Sequence, residues 1–154
     1  MIIAFIRHGK AEPRGAKPDE ERSLTNEGKQ DVEAIARILP FKPAIIFTSP
    51  LKRAVETAEI VARVHGVEYR VAEELSPAML CLESLKKING LGDRSVIVAH
   101  APSIERVVSS LIGGGYIHLK AGGLAVVETE EIEAGVGRME LLIQPYIASK
   151  VVKP

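Results

Sequence analysis

Three short stretches place reactive side chains directly after apolar, β-branched runs: Arg7-His8-Gly9, Ser49-Pro50-Leu51-Lys52-Arg53 and His100-Ala101-Pro102. Two imidazoles and two guanidiniums arranged in this way have the makings of an anion site that contains its own nucleophile. A guanidinium is a rigid fork of donors that meets a phosphate bidentately and keeps its charge at any working pH. A neutral imidazole offers a free lone pair near pH 7. Phosphoryl transfer requires an in-line nucleophile and positive charge around the non-bridging oxygens, and arginine would here supply the charge that magnesium supplies in kinases. Taken singly, each residue has an ordinary explanation: a strand-end histidine as a hydrogen-bonded turn residue, Arg53 as a solvated helix residue, Gly9 as a turn glycine with positive φ. Their coincidence at corresponding ends of separate units favours a shared site.

The elements that must bring them together follow from hydrophobic periodicity. Strands are expected at Ile2 to Arg7, Ala44 to Thr48, Val67 to Val71, Ser95 to Ala99, Leu124 to Thr129 and Arg138 to Gln144. The first, second and fourth are unbroken apolar runs, which suits strands buried on both faces. Between them Val32, Ile35, Ala36 and Leu39 recur at helical spacing, as do Ala54, Val55, Ala58, Val61 and Ala62. Thr25 is placed to cap the first helix. Ser49 followed by Pro50 reads as an N-cap with proline at the first helical position. Pro102 suits the first turn of a helix through Ile104, Val107, Val108 and Leu111, which Gly113-Gly114-Gly115 would end. The alternation of strands and helices predicts an α/β fold with helices on both faces of a mostly parallel sheet of about six strands. In such a sheet ligands bind beyond the carboxyl ends of the strands, where the three reactive stretches lie.

The chain has 154 residues, 46% of them hydrophobic. That length fits one domain, expected over 1–148 with a loose tail at 149–154. Lys plus Arg and Asp plus Glu both count 20, with 12 of each sign up to Pro77 and 8 of each after it. This balance argues against nucleic-acid and membrane-surface binding, both of which rest on excess positive charge. The lone Cys81 cannot form an internal disulfide and reads as a small half-buried apolar residue. Arg7 and His8 cut the first apolar run short of a signal peptide or membrane span. A soluble, cytoplasmic protein is expected. With no paired-histidine helix, no Cys-x-x-Cys and no carboxylate cluster at the strand ends, neither a metal nor another cofactor is expected.

Ile6-Arg7-His8-Gly9, Leu24-Thr25-Asn26-Glu27-Gly28, Thr48-Ser49-Pro50-Leu51-Lys52-Arg53-Ala54 with Thr57-Ala58, and Val98-Ala99-His100-Ala101-Pro102 resemble the ordered motifs of the histidine phosphatase superfamily, the phosphoglycerate-mutase-like family. The short chain and Arg22-Ser23-Leu24-Thr25 make it most similar to the small SixA-type branch. The resemblance implies a three-layer α/β/α fold and a phosphatase acting on phosphohistidine in proteins or on small phosphate esters. It also implies a phosphate pocket containing Arg7, Arg53 and His100. Gly9, Ser49, Arg22 and Ala101 complete the expected phosphate-binding set.

His8, beside Arg7 at the end of the first strand, is the expected nucleophile, with a backbone carbonyl on its other ring nitrogen fixing the tautomer. For the proton donor, Asp19 in the polar 10–22 loop is the candidate and Glu83 the weaker alternative. A site without a dedicated acid would favour phosphohistidine or phenolic esters over alkyl phosphates, because their leaving groups need less protonation. Two other readings stay open: a broad small-molecule phosphomonoesterase and a non-catalytic phosphate-binding module. A mutase is disfavoured, since the short chain has little room for loops that enclose a substrate. His65 and His118 lack motifs and are expected to be structural or surface residues, Lys120 to Gly123 a plain turn in preference to a segment that lines the pocket, and the assembly a monomer or weak homodimer.

Overall fold

The computed structural model describes residues 1–152. Six strands, β1 (Ile2–Arg7), β2 (Ile45–Thr48), β3 (Tyr69–Val71), β4 (Ser95–Ala99), β5 (Leu124–Glu128) and β6 (Arg138–Ile143), form one sheet in the order β3-β2-β4-β1-β5-β6. The pairs β1–β4, β2–β4 and β2–β3 are parallel, while β5 runs antiparallel to both β1 and β6. Only β5 therefore points the other way, and the sheet is mostly parallel.

Helices cover both faces. Ala4 and Ile6 of β1 pack with α1 (Asn26–Arg37), α2 (Lys52–His65) and Ala148 of α5 (Pro145–Val151). Ile3 and Phe5, which point the other way along the pleat, pack with Leu85 of α3 (Leu82–Lys86) and with Ile104, Val107 and Leu111 of α4 (Ser103–Leu111). Burial on both faces explains why β1 and β4 read as unbroken apolar runs: all five residues of β4 are buried. This three-layer α/β/α arrangement is the one that the motif resemblance implies.

Three local expectations change. Helix α2 starts at Lys52, so Ser49 is not its N-cap; its hydroxyl accepts from Leu51 N–H at 3.2 Å and turns to His100 instead. Ser149–Val151 are not loose, because they complete α5, whose Ala148 is fully buried against the α1 layer; 153–154 lie outside the described residues. Cys81 is exposed and caps α3, its sulfur accepting from Ser84 N–H at 3.4 Å. Among the described residues no helix is long and apolar enough to cross a membrane.

Candidate active site

Strand register assembles the site. Arg7 pairs with Ala99 across β1–β4, and Thr48 with Val98 across β2–β4, so the three parallel strands end at one level. The ladders run one residue further: His8 N–H donates to Ala99 O and Ser49 N–H to Val98 O, both at 3.0 Å. His8, Ser49 and His100 thus leave the sheet side by side.

Helix α2 adds Arg53 in its first turn. Arg53 is 5% exposed, and its Nε donates to His8 Nε2 at 3.3 Å. The rings of His8 and His100 lie 5.0 Å apart between centroids. Arg7 Nη1 donates to the carbonyl of Leu119 at 2.8 Å. His8 from the exit of β1, Arg53 from α2 and His100 from the exit of β4 therefore meet at one rim, and the charge of Arg7 acts on both rings.

On its other side His8 places Nδ1 2.8 Å from the Gly9 carbonyl. A carbonyl only accepts, so Nδ1 carries the proton and Nε2 keeps the lone pair. Burial lowers the His8 pKa to about 4, assisted by the charges of Arg53, Arg7 and Arg22 and opposed by the Gly9 bond. Burial likewise lowers His100 to about 3, with His8 and Arg53 adding to it. Both rings are neutral at pH 7. His100 Nε2 lies 2.7 Å from Ser49 Oγ.

Two atoms of this cluster stand out. Arg7 Nε and His100 Nδ1 are the buried side-chain nitrogens that lack a hydrogen-bond partner among the described residues. An unpaired buried polar group costs about 1–3 kcal/mol. An oxyanion seated between Arg7 and His100 would satisfy both, with Ser49 O–H donating to Nε2 and leaving Nδ1–H free for the anion.

The remaining expected residues fall into place unevenly. Arg22 is 9% exposed, and its Nε donates to Asp19 Oδ1 at 2.9 Å and its Nη1 to Glu12 O at 2.8 Å. Asp19, on a 3₁₀ turn at Asp19–Glu21, also receives Arg53: Nη1 reaches its carbonyl at 2.8 Å and Nη2 its Oδ2 at 3.2 Å. Burial raises the Asp19 pKa, but hydrogen bonds and charge from Arg22 and Arg53 outweigh it and hold the carboxyl below its ordinary value. Asp19 is thus an anion bound to the clamp. Glu83 is exposed on α3 and pairs with Lys86. Ala101 is half-buried directly after His100.

Gly9 has no positive φ. It must be glycine because a Cβ there would come within 2.7 Å of Val32 Cγ2 on α1 and 3.1 Å of Gly28 O. Its N–H donates to Thr57 Oγ1 at 3.0 Å, whose own hydroxyl donates to Arg53 O at 2.8 Å. Gly9 therefore locks the β1 exit to α2 and offers no N–H to an anion. His65 binds Ala36 O at 2.7 Å, a structural role. Lys10 and Lys17 are paired with Glu27 and Glu12, so their charge is largely neutralised in place.

Thr57 belongs to the motif quoted above, but its role as a connector between Gly9 and Arg53 depends on a contact 48 residues apart that the motif does not display. The segment from Lys120 to Gly123 is more than a plain turn: Gly122 N–H donates to the carbonyls of Arg7 and His8 at 3.0 and 2.9 Å. No metal-holding group of three or more His, Cys, Asp or Glu side chains occurs among the described residues.

The family model of the histidine phosphatase superfamily (branch 1) matches residues 3–78, which carry Arg7, His8 and Arg53. Solved structures share the fold. The protein histidine phosphatase SixA complexed with tungstate has a TM-score of 0.82 at 24% identity, covering 96% of this chain and 99% of that one. A SixA protein of Agrobacterium tumefaciens gives 0.74 at 21% identity, covering 92% and 96%. The mycobacterial glucosyl-3-phosphoglycerate phosphatase gives 0.65 at 16% identity, covering 91% and 97%. No curated protein matches the chain in sequence. With the family match, the ordered motifs and the shared fold in agreement, the chain belongs to the histidine phosphatase superfamily.

Proposed function

We propose that the chain is a SixA-type phosphatase that forms a covalent phosphohistidine on His8 and acts on phosphohistidine in proteins. The observation that carries this reading is the pair of unsatisfied nitrogens, Arg7 Nε and His100 Nδ1, in the cluster with a His8 whose Nε2 keeps its lone pair and gives it to Arg53 Nε. His8 Nε2 attacks phosphorus, the bond from phosphorus to the leaving group breaks, and Arg7, Arg53 and His100 hold the non-bridging oxygens. Arg53 must release the lone pair as it takes up an oxygen. Water then attacks the phosphohistidine, freeing inorganic phosphate and neutral His8.

Two guanidiniums supply the charge, so turnover should survive a chelator. The substrate class follows from the leaving group. Asp19 is ionised and bound to two arginines, and so is poorly placed to give a proton. An alkoxide, with a conjugate acid of pKa about 16, needs that proton from the protein, whereas a phosphohistidine whose far ring nitrogen has taken a proton from solvent, as imidazole does with a pKa of about 6.5, expels a neutral imidazole and needs no acid from the site. A similar fold also belongs to a protein histidine phosphatase solved with tungstate, a tetrahedral oxyanion.

Brief exposure to a phosphorus-labelled substrate should leave acid-labile label on the wild type and none on His8→Ala. Equal labelling of the two would overturn the assignment. Turnover of a phosphohistidine peptide should exceed that of an alkyl phosphate, and the reverse order would remove the proposed substrate class. If the chain binds inorganic phosphate but hydrolyses neither, nor an aryl phosphate, it is a binding module.

A further inference from the structure

Arg7 does not hold its own orientation. Among the described residues its guanidinium has one protein acceptor, the carbonyl of Leu119, 112 residues away, and its Nε has none. That carbonyl lies in an irregular stretch between α4 and β5, so regular hydrogen bonding cannot fix where it points.

Two side chains do the fixing. Gln144, between β6 and α5, accepts from Lys120 N–H at 2.9 Å and donates to His118 O at 2.9 Å. Glu105 of α4 accepts from Leu119 N–H at 2.7 Å through Oε2. Leu119 O and Lys120 N–H belong to one planar peptide group, so Gln144 holds one end of the plane while Arg7 takes the other. His118 O and Leu119 N–H belong to the preceding plane, which Gln144 and Glu105 grip together. The Leu119 side chain is fully buried and anchors the middle.

We infer that Glu105 and Gln144 are positioning residues: they aim the Leu119 carbonyl and, through it, the guanidinium of Arg7 at the phosphoryl group. The catalytic importance of that aim rests on the proposed function, whereas the aim itself does not. Misplacing a catalytic group by about 1 Å can cost about a hundredfold in rate.

The test uses Glu105→Ala, Glu105→Asp, Glu105→Gln and Gln144→Ala in the full chain, with His118→Ala as a control. Rotation of the Arg7 guanidinium, read by arginine-labelled NMR, should be slow in wild type, His118→Ala and Glu105→Gln, and fast in the others. Asp keeps the charge but loses the reach, while Gln keeps an oxygen acceptor for Leu119 N–H. Aryl phosphate kinetics should follow the same division. KM should rise and kcat/KM fall by about 10- to 100-fold where rotation is fast, with the loss largely rescued in Glu105→Gln. In an Arg7→Ala background the same changes should cost nothing more. Unchanged Arg7 rotation in both Glu105→Asp and Gln144→Ala would overturn the inference, as would an equal loss without Arg7. If Glu105→Ala fails to fold, the Asp and Gln variants decide. If the wild type hydrolyses no phosphate ester, the proposed function fails, and the rotation measurement still decides the positioning.

Discussion

The carboxylate of Asp19 lies 3.2 Å from Arg53 Nη2, while the same guanidinium places Nε 3.3 Å from His8 Nε2. One arginine thus holds both the internal anion and the lone pair of His8, the proposed nucleophile. An incoming phosphoryl group needs the donors that Asp19 occupies, so the carboxylate competes with it. The Asp19 side chain is about half exposed, 48%, and exposed ion pairs are weak. Asp19→Asn should therefore lower the inhibition constant for inorganic phosphate by up to about fivefold, the equivalent of an exposed pair's 0.2–1 kcal/mol. A higher inhibition constant would mean that Asp19 instead builds the anion site by fixing Arg53.

Arg53→Lys preserves charge and removes the fork. A lysine ammonium is a single point of donors and cannot span His8 and Asp19 as Arg53 does through Nε, Nη1 and Nη2. Losing one preorganised donor at a developing charge typically costs about 10²–10³ in kcat. Arg53→Lys should fall in that range on an aryl phosphate. Activity within a few-fold of wild type would show that net charge alone suffices.

The two buried imidazoles tie stability to pH. Burial lowers His8 to about 4 and His100 to about 3, whereas both titrate near 6.5 in the unfolded chain. Between about pH 6.5 and these lower values the unfolded chain takes up protons that the native state refuses, so stability falls as pH falls through that window. It levels off once the native rings protonate, and above about 6.5 these groups contribute no slope. Urea midpoints at pH 7, 5.5 and 4.5 should decline in the wild type and decline less in His8→Asn. Identical slopes for the two would show that His8 is not buried in its neutral form.

Where neighbours in sequence are also neighbours in space, the residues foretold the structure. Thr25 caps α1 by accepting from Gly28 N–H at 3.0 Å, and β1 and β4 span the ranges Ile2–Arg7 and Ser95–Ala99 that their apolar runs predict. The rim also followed from order alone, because parallel strands put Arg7, Ser49 and His100 at the same end. What stayed hidden depends on distant pairings. Ser49 has the local chemistry of a cap, but His100, 51 residues away, takes its hydroxyl. Glu105 and Gln144 sit in no motif, and their partners are backbone groups of 118–120, which any sequence would provide. Gly9 looked like a turn glycine because close approach by another element leaves the same residue type as a positive φ.

That last distinction can be measured. A Cβ at position 9 would meet Val32 Cγ2 at 2.7 Å, and beyond it backbone at Gly28 O at 3.1 Å. The valine methyl could yield only by displacing a fully buried side chain of α1. Overpacking of this kind costs about 1–3 kcal/mol. Gly9→Ala should lower the urea midpoint accordingly, and Val32→Ala in the same chain should recover part of the loss by removing the nearest contact. If φ were the constraint instead, trimming Val32 would recover nothing, and the double variant would be less stable than Gly9→Ala by the full cost of the lost valine methyls. Because Gly9 N–H reaches Thr57, and Thr57 in turn Arg53 O, any shift that the alanine forces would also reach the clamp. Phosphate affinity should therefore weaken alongside stability and recover with it in the double variant.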